Sequence, residues 1–136
     1  MKNKKKKMGF TLIELVVVLV IIGILSIIAV PMYRGYVGRA MASEGRALLG
    51  AVAGSEKIYF AEYGVFLLVN LTGHDPELDV DSTMNTYFRS YSVALTNTSL
   101  GFEATTSGVT GGGAEGITVT FDQYPNSAPV VEVTGV

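Results

Sequence analysis

Residues 8–33 read MGFTLIELVVVLVIIGILSIIAVPMY. Gly9 stands immediately before an apolar run, and the run holds one acidic residue, Glu14. Phe10 to Val30 is 21 residues. At ~1.5 Å rise per residue that is roughly 31 Å of helix, about one bilayer hydrocarbon core. Lys2, Lys4, Lys5, Lys6 and Lys7 precede it. Basic residues flanking a span stay in the cytoplasm, so the chain after Val30 is expected on the far side.

A secretory signal has a shorter apolar core and is cut beyond it, after small residues. Here the small residue comes first, and Pro31, Met32 and Tyr33 stand at the far end. A plain membrane anchor does not account for Glu14. A carboxylate within an apolar span is costly unless paired or neutralised, so it marks a function. The nearest conceivable partner is the amine that cutting the Gly9–Phe10 bond would create.

The lysine-rich leader, Gly9, Phe10, Thr11, Leu12, Ile13, Glu14 and Leu15, followed by Gly23, Pro31, Tyr33 and Tyr36, resemble the N-terminus of type IV pilins and their pseudopilin relatives. The likeness covers residues 1 to about 63; beyond that only the architecture carries it. It implies a leader of residues 1–9, cut by a prepilin peptidase between Gly9 and Phe10, and N-methylation of Phe10. It implies a subunit that waits as a single-pass protein in inner-membrane lipid. Inner-membrane pilus assembly machinery then draws it into an extracellular helical homopolymer. Residues 10–31 form the membrane and assembly helix, and residues 32–136 the globular head. Glu14 sets subunit registry by pairing with the Phe10 amine of a neighbouring subunit. The stretch EKIYFAEYGVF (residues 56–66) resembles type IVa pilins more than the major pseudopilin of type II secretion. The rival readings are that pseudopilin, a DNA-uptake minor pilin, and a single-pass anchored binding protein that never polymerises and keeps residues 1–9.

Charge bears on partners. The whole chain is formally −2. Without residues 1–9, Arg34, Arg39, Arg46, Lys57 and Arg89 face twelve acids, a net of −7. Such a surface argues against general nucleic-acid binding, which needs cations to displace phosphate counterions. There is no cysteine. Many pilins close their C-terminal segment with a disulfide, so here strand pairing or a metal must hold it.

The pattern predicts an α+β chain: one helix over residues 10 to about 63, then strands. Pro31 removes an amide and crowds the preceding turn, so a kink is expected there, with Gly23 softening the helix before it. Beyond Pro31 an apolar face is expected at Val37, Met41, Leu48, Val52, Tyr59 and Tyr63, opposite Arg39, Arg46 and Lys57. Gly35, Gly38, Gly45, Gly50 and Gly54 each cost ~1 kcal/mol in a helix interior. Either the sheet or filament neighbours must compensate. Gly64 reads as the helix stop. Residues 64–90 read as a long loop. Tyr91–Thr96, Phe102–Thr106, Ile117–Asp122 and Val130–Thr134 read as an antiparallel sheet of three or four strands.

Other constellations carry little. Asp75, Glu77, Asp79 and Asp81 alternate as calcium ligands can. An EF-hand loop starting at Asp75 would, however, place Val80 where glycine is required and Thr86 where glutamate is. The four read as a solvated acidic loop, and neither metal nor cofactor is expected. Gly111–Gly113 leads into a strand, not into the Gly-Lys-Ser/Thr and helix of a phosphate-binding loop. His74 has no serine–acid partnership legible around it. Asn70-Leu71-Thr72 and Asn97-Thr98-Ser99 match a glycosylation pattern that is frequent by chance. The chain is not expected to be an enzyme.

Overall fold

The computed structural model describes residues 9–96, 101–124 and 127–136. The lysines of the leader and Asn97-Thr98-Ser99 lie outside the described residues. The described chain divides into two compact units, with the boundary between Arg34 and Gly35.

Helix α1 runs continuously over Leu12–Tyr63, with Pro31 inside it. It starts two residues later than expected because Thr11 caps it, and it stops where expected. Gly64 adopts φ 75° and its N–H donates to the Phe60 carbonyl at 2.8 Å. That is a left-handed glycine closing the last turn. In the first unit the valines, leucines and isoleucines are all exposed, Leu12 at 81% and Ile27 at 76%. A run so dominated by branched apolar residues, in a capped helix, suits a hydrocarbon surrounding. Among the described residues this is the one helix long and apolar enough to cross a membrane.

The second unit is the remainder of α1 packed on a five-stranded antiparallel sheet. In chain order the strands are β1 (Val69–Thr72), β2 (His74–Asp75), β3 (Val80–Asp81), β4 (Ser90–Leu95), β5 (Phe102–Ser107), β6 (Thr118–Gln123) and β7 (Val130–Thr134). The sheet order is β1-β4-β5-β6-β7, and β2 pairs β3 apart from it. One row crosses the sheet through the registers Val69↔Val93, Val93↔Ala104, Ala104↔Phe121 and Phe121↔Val131, buried from Val69 to Phe121 and exposed at Val131. The four strands expected after residue 90 are present within a residue or two. The expected loop over residues 64–90 is corrected: it supplies the edge strand β1 and the β2–β3 hairpin. The sheet therefore has five strands, not three or four. The C-terminal segment is held by β7 pairing with β6.

The buried face of α1 is also corrected. Ala42, Gly45, Leu48, Leu49, Val52, Ala53 and Glu56 are buried, whereas Tyr63 is 64% exposed and Val37 only half-buried. Arg39, Arg46 and Lys57 face outward as expected. Gly45 explains the rotation. A Cβ there would stand 2.9 Å from Val119 Cγ2 and 3.2 Å from the Phe88 ring, so the sheet approaches the helix backbone closely. Gly38 faces Val136, while Gly35, Gly50 and Gly54 face open space. The sheet accounts for Gly45 alone.

Candidate functional site

The expected site begins at Gly9 and Phe10. Both are exposed, Phe10 at 77%, and no atom approaches the position of a Cβ on Gly9. The junction is thus accessible. Immediately after it, Thr11 and Glu14 bond reciprocally. The Thr11 N–H donates to Glu14 Oε2 at 2.9 Å and the Thr11 hydroxyl donates to the same oxygen at 2.6 Å. The Glu14 N–H points back to Thr11 Oγ1 at 3.4 Å. With Leu12 as the first helical residue, this is a capping box: the N-cap and third-position side chains satisfy each other's backbone donors. The Thr-x-x-Glu spacing of the box is present in the sequence at Thr11 and Glu14.

Glu14 therefore has two possible attachments. In the uncut chain its carboxylate is held by Thr11. It also lies beside Phe10, Ile13, Val17 and Val18 around a shallow apolar depression. Its surroundings are otherwise exposed apolar side chains, with no cation among the described residues of this unit before Arg34.

The prokaryotic N-terminal methylation motif matches residues 4–30. The N-terminus of this chain is similar to that of type IV fimbrial proteins. Its pilin-type relatives include the fimbrial protein EcpC of Eikenella corrodens, 46% identical over 63 residues, which is 46% of this chain and 41% of that protein. The type IV major fimbrial protein FimA of Dichelobacter nodosus is 52% identical over 48 residues, 35% of this chain and 29% of its own. The type IV major pilin protein PilE of Neisseria gonorrhoeae is 40% identical over 58 residues, 43% of this chain and 35% of its own. The chain thus spans less than half the length of the curated relatives it matches. No solved structure matches it.

Among the other expected groups, Asp75 departs from expectation. Gly23 sits in open space and Pro31 within the helix. Of the four acids expected in a solvated loop, Glu77, Asp79 and Asp81 are exposed but Asp75 is buried. It turns inward and accepts the Glu77 and Leu78 N–H groups at 2.9 and 3.2 Å. Gly111, at φ 76°, belongs to the β5–β6 loop, where its N–H donates to Glu115 at 3.0 Å. His74 is exposed on β2. Glu44 and Glu56, which the sequence reading did not single out, each tie α1 to the chain beyond it: Glu44 to residues 86–88 and Glu56 to Leu67.

Proposed function

We propose that this chain is the structural subunit of a type IV pilus-like extracellular filament. The observation that carries the reading is the methylation motif over residues 4–30, set on a capped helix whose valines, leucines and isoleucines before Arg34 are all exposed. A prepilin peptidase hydrolyses the Gly9–Phe10 bond, and the freed Phe10 amine is methylated. The basic leader and apolar helix hold the subunit in the inner membrane until assembly machinery extracts it. The helix then exchanges lipid for the helices of other copies, which keeps its apolar surface out of water throughout.

Within the filament, the Glu14 carboxylate pairs with the Phe10 amine of a neighbouring copy. A desolvated ion pair adds little net stability, but an unpaired charge in the same place is strongly unfavourable. A copy docked out of register is therefore rejected. Gly23 and Pro31 mark the bend of the helix. The role is structural, with no catalytic step assigned to the head.

The test is to shear surface filaments, view them by electron microscopy and sequence their subunit. The expected N-terminus is Phe-Thr-Leu-Ile-Glu. Protein found only in the membrane with residues 1–9 attached would favour the unpolymerised anchor.

A further inference from the structure

We propose that Glu56 is a proton-operated latch: protonated, it clamps the segment that follows α1 to the helix, and ionised, it lets that segment go. This is independent of the filament reading.

Glu56 is completely buried. Its Oε2 accepts the Leu67 N–H at 3.0 Å, while its buried Oε1 has no hydrogen-bond partner among the described residues. The neighbouring carboxylate is Asp75, itself buried, whose charge acts on Glu56. The two are not equivalent. Asp75 accepts three hydrogen bonds, from the Glu77 and Leu78 N–H groups and from the Tyr91 hydroxyl at 3.2 Å. Glu56 accepts one. Two carboxylates sharing a dry site do not both ionise readily, and hydrogen bonds to the charged form decide which stays charged. The donor count assigns the charge to Asp75 and the proton to Glu56 Oε1.

The groups facing Glu56 are Asp75 from β2, Tyr91 from β4 and Tyr59 from α1 itself; none is cationic. Burial pushes Glu56 up to about 7, the Leu67 N–H opposes that, and the Asp75 charge adds to it. The segment it holds is well placed to respond. Phe66 stacks on Phe60 at 4.5 Å and packs against Phe102 at 5.0 Å, and Leu67 leads directly into edge strand β1. An ionised Glu56 must find water for its second oxygen, and moving Leu67 aside admits it.

The experiment is hydrogen exchange at the Leu67 amide in the full chain in detergent micelles, corrected for intrinsic rates, from pH 5 to 8. A proton bound in the closed state and lost on opening changes the opening equilibrium about tenfold per pH unit. Protection of Leu67 should fall at that rate up to about pH 7 and level off above it. Glu56→Gln keeps an acceptor for Leu67 and cannot ionise, so its protection should be flat. Histidine changes charge in the same range, so His74→Gln must leave the wild-type slope intact. A flat wild-type profile, a sloping Glu56→Gln profile, or a slope lost with His74 overturns the latch. Should Glu56→Gln not fold, carbon NMR of labelled glutamates in a Glu14→Gln chain decides. One carboxyl titrating near pH 7 supports the latch; all titrating below about pH 5.5 overturns it.

Discussion

The carboxylate of Glu44 accepts the backbone N–H of Phe88 at 2.8 Å, one residue before the glycine against which the Phe88 ring packs. The same carboxylate accepts the Tyr87 N–H at 2.7 Å and the Thr86 N–H at 3.1 Å. One helix side chain thus satisfies three consecutive amides of the approach to β4. In doing so it fixes the depth at which a wholly buried aromatic enters the core. Glu44→Ala leaves the exposed Thr86 N–H to water but strands the part-buried Tyr87 and Phe88 donors, and an unsatisfied buried group costs about 1–3 kcal/mol. Chemical denaturation of the head should show a loss of that order, with Glu44→Gln losing less.

The same contact makes the head acid-sensitive. Burial raises the Glu44 carboxyl, but the three amides and the Arg89 charge outweigh it and hold the group below its ordinary value of 4.5. The folded state therefore binds this proton more weakly than the unfolded chain does. The stabilisation is fully present above pH 4.5 and is lost as pH falls through the folded value. Melting temperature should drop below pH 4.5 in the wild type and drop less steeply in Glu44→Gln. An identical acid limb in both would remove Glu44 from the account.

Gly45 and Gly50 lie five residues apart in one helix and should respond oppositely to alanine. In both, alanine favours the helix by ~1 kcal/mol. At Gly45 the new methyl meets Val119 and Phe88, both wholly buried and unable to withdraw. Overpacking of this kind costs about 1–3 kcal/mol, so Gly45→Ala should be destabilising. At Gly50 nothing stands within 4 Å, so Gly50→Ala should stabilise the isolated head. If Gly50→Ala nonetheless reduces filament yield, that face of the helix meets neighbours.

What could be read from the chain divides along physical lines. The long apolar helix, the Gly64 stop and strands β4 to β7 were legible because each rests on local periodicity or backbone chemistry. Strand β1 was not: its four residues, Val69 to Thr72, bury only Val69 fully, and a short edge strand is defined by its partner β4 rather than by its own pattern. The helix face was misjudged for a related reason. Tyr63 and Val37 outrank Gly45 and Ala42 in apolar character, yet close approach of the sheet selects small residues. Glu44 and Glu56 were invisible because their partners lie 42 to 44 and 11 residues away.

Gly9→Glu should block cleavage and leave insertion unchanged. The position is open in the chain itself, so any intolerance must come from the peptidase. Topology rests on the lysines and the apolar run, which remain. Immunoblots of membrane fractions should show uncut protein at normal abundance and no surface filaments. Normal filaments from this variant would remove the processing assignment.

Residues 32–136 should fold as a soluble α+β monomer without the anchor. The core lies wholly beyond Arg34, in α1 from Ala42 to Ala53 and in the strands and loops that follow. Removing the exposed apolar residues of the first unit removes the main cause of aggregation. Helical and sheet circular dichroism with a monomeric sedimentation coefficient is the expected result. An unfolded fragment would mean that the head leans on its neighbours.

Glu14 caps its own helix, and the proposed pairing between copies would be a second, separable role that three substitutions distinguish. Glu14→Gln keeps the capping box, since glutamine serves at the third position, but abolishes the charge. Thr11→Ala breaks the box and keeps the carboxylate. Glu14→Leu removes both and makes membrane insertion easier, because it takes a charge out of the span. If registry is the dominant role, filament yield should collapse in Glu14→Gln and Glu14→Leu alike, with undiminished membrane levels. Thr11→Ala should then lose no more than the ~1 kcal/mol of a helix cap. If instead Glu14→Gln assembles normally and Thr11→Ala does not, the carboxylate acts as a cap. Ratios of sheared filament to membrane-bound subunit, measured with each variant as the sole subunit, separate the two.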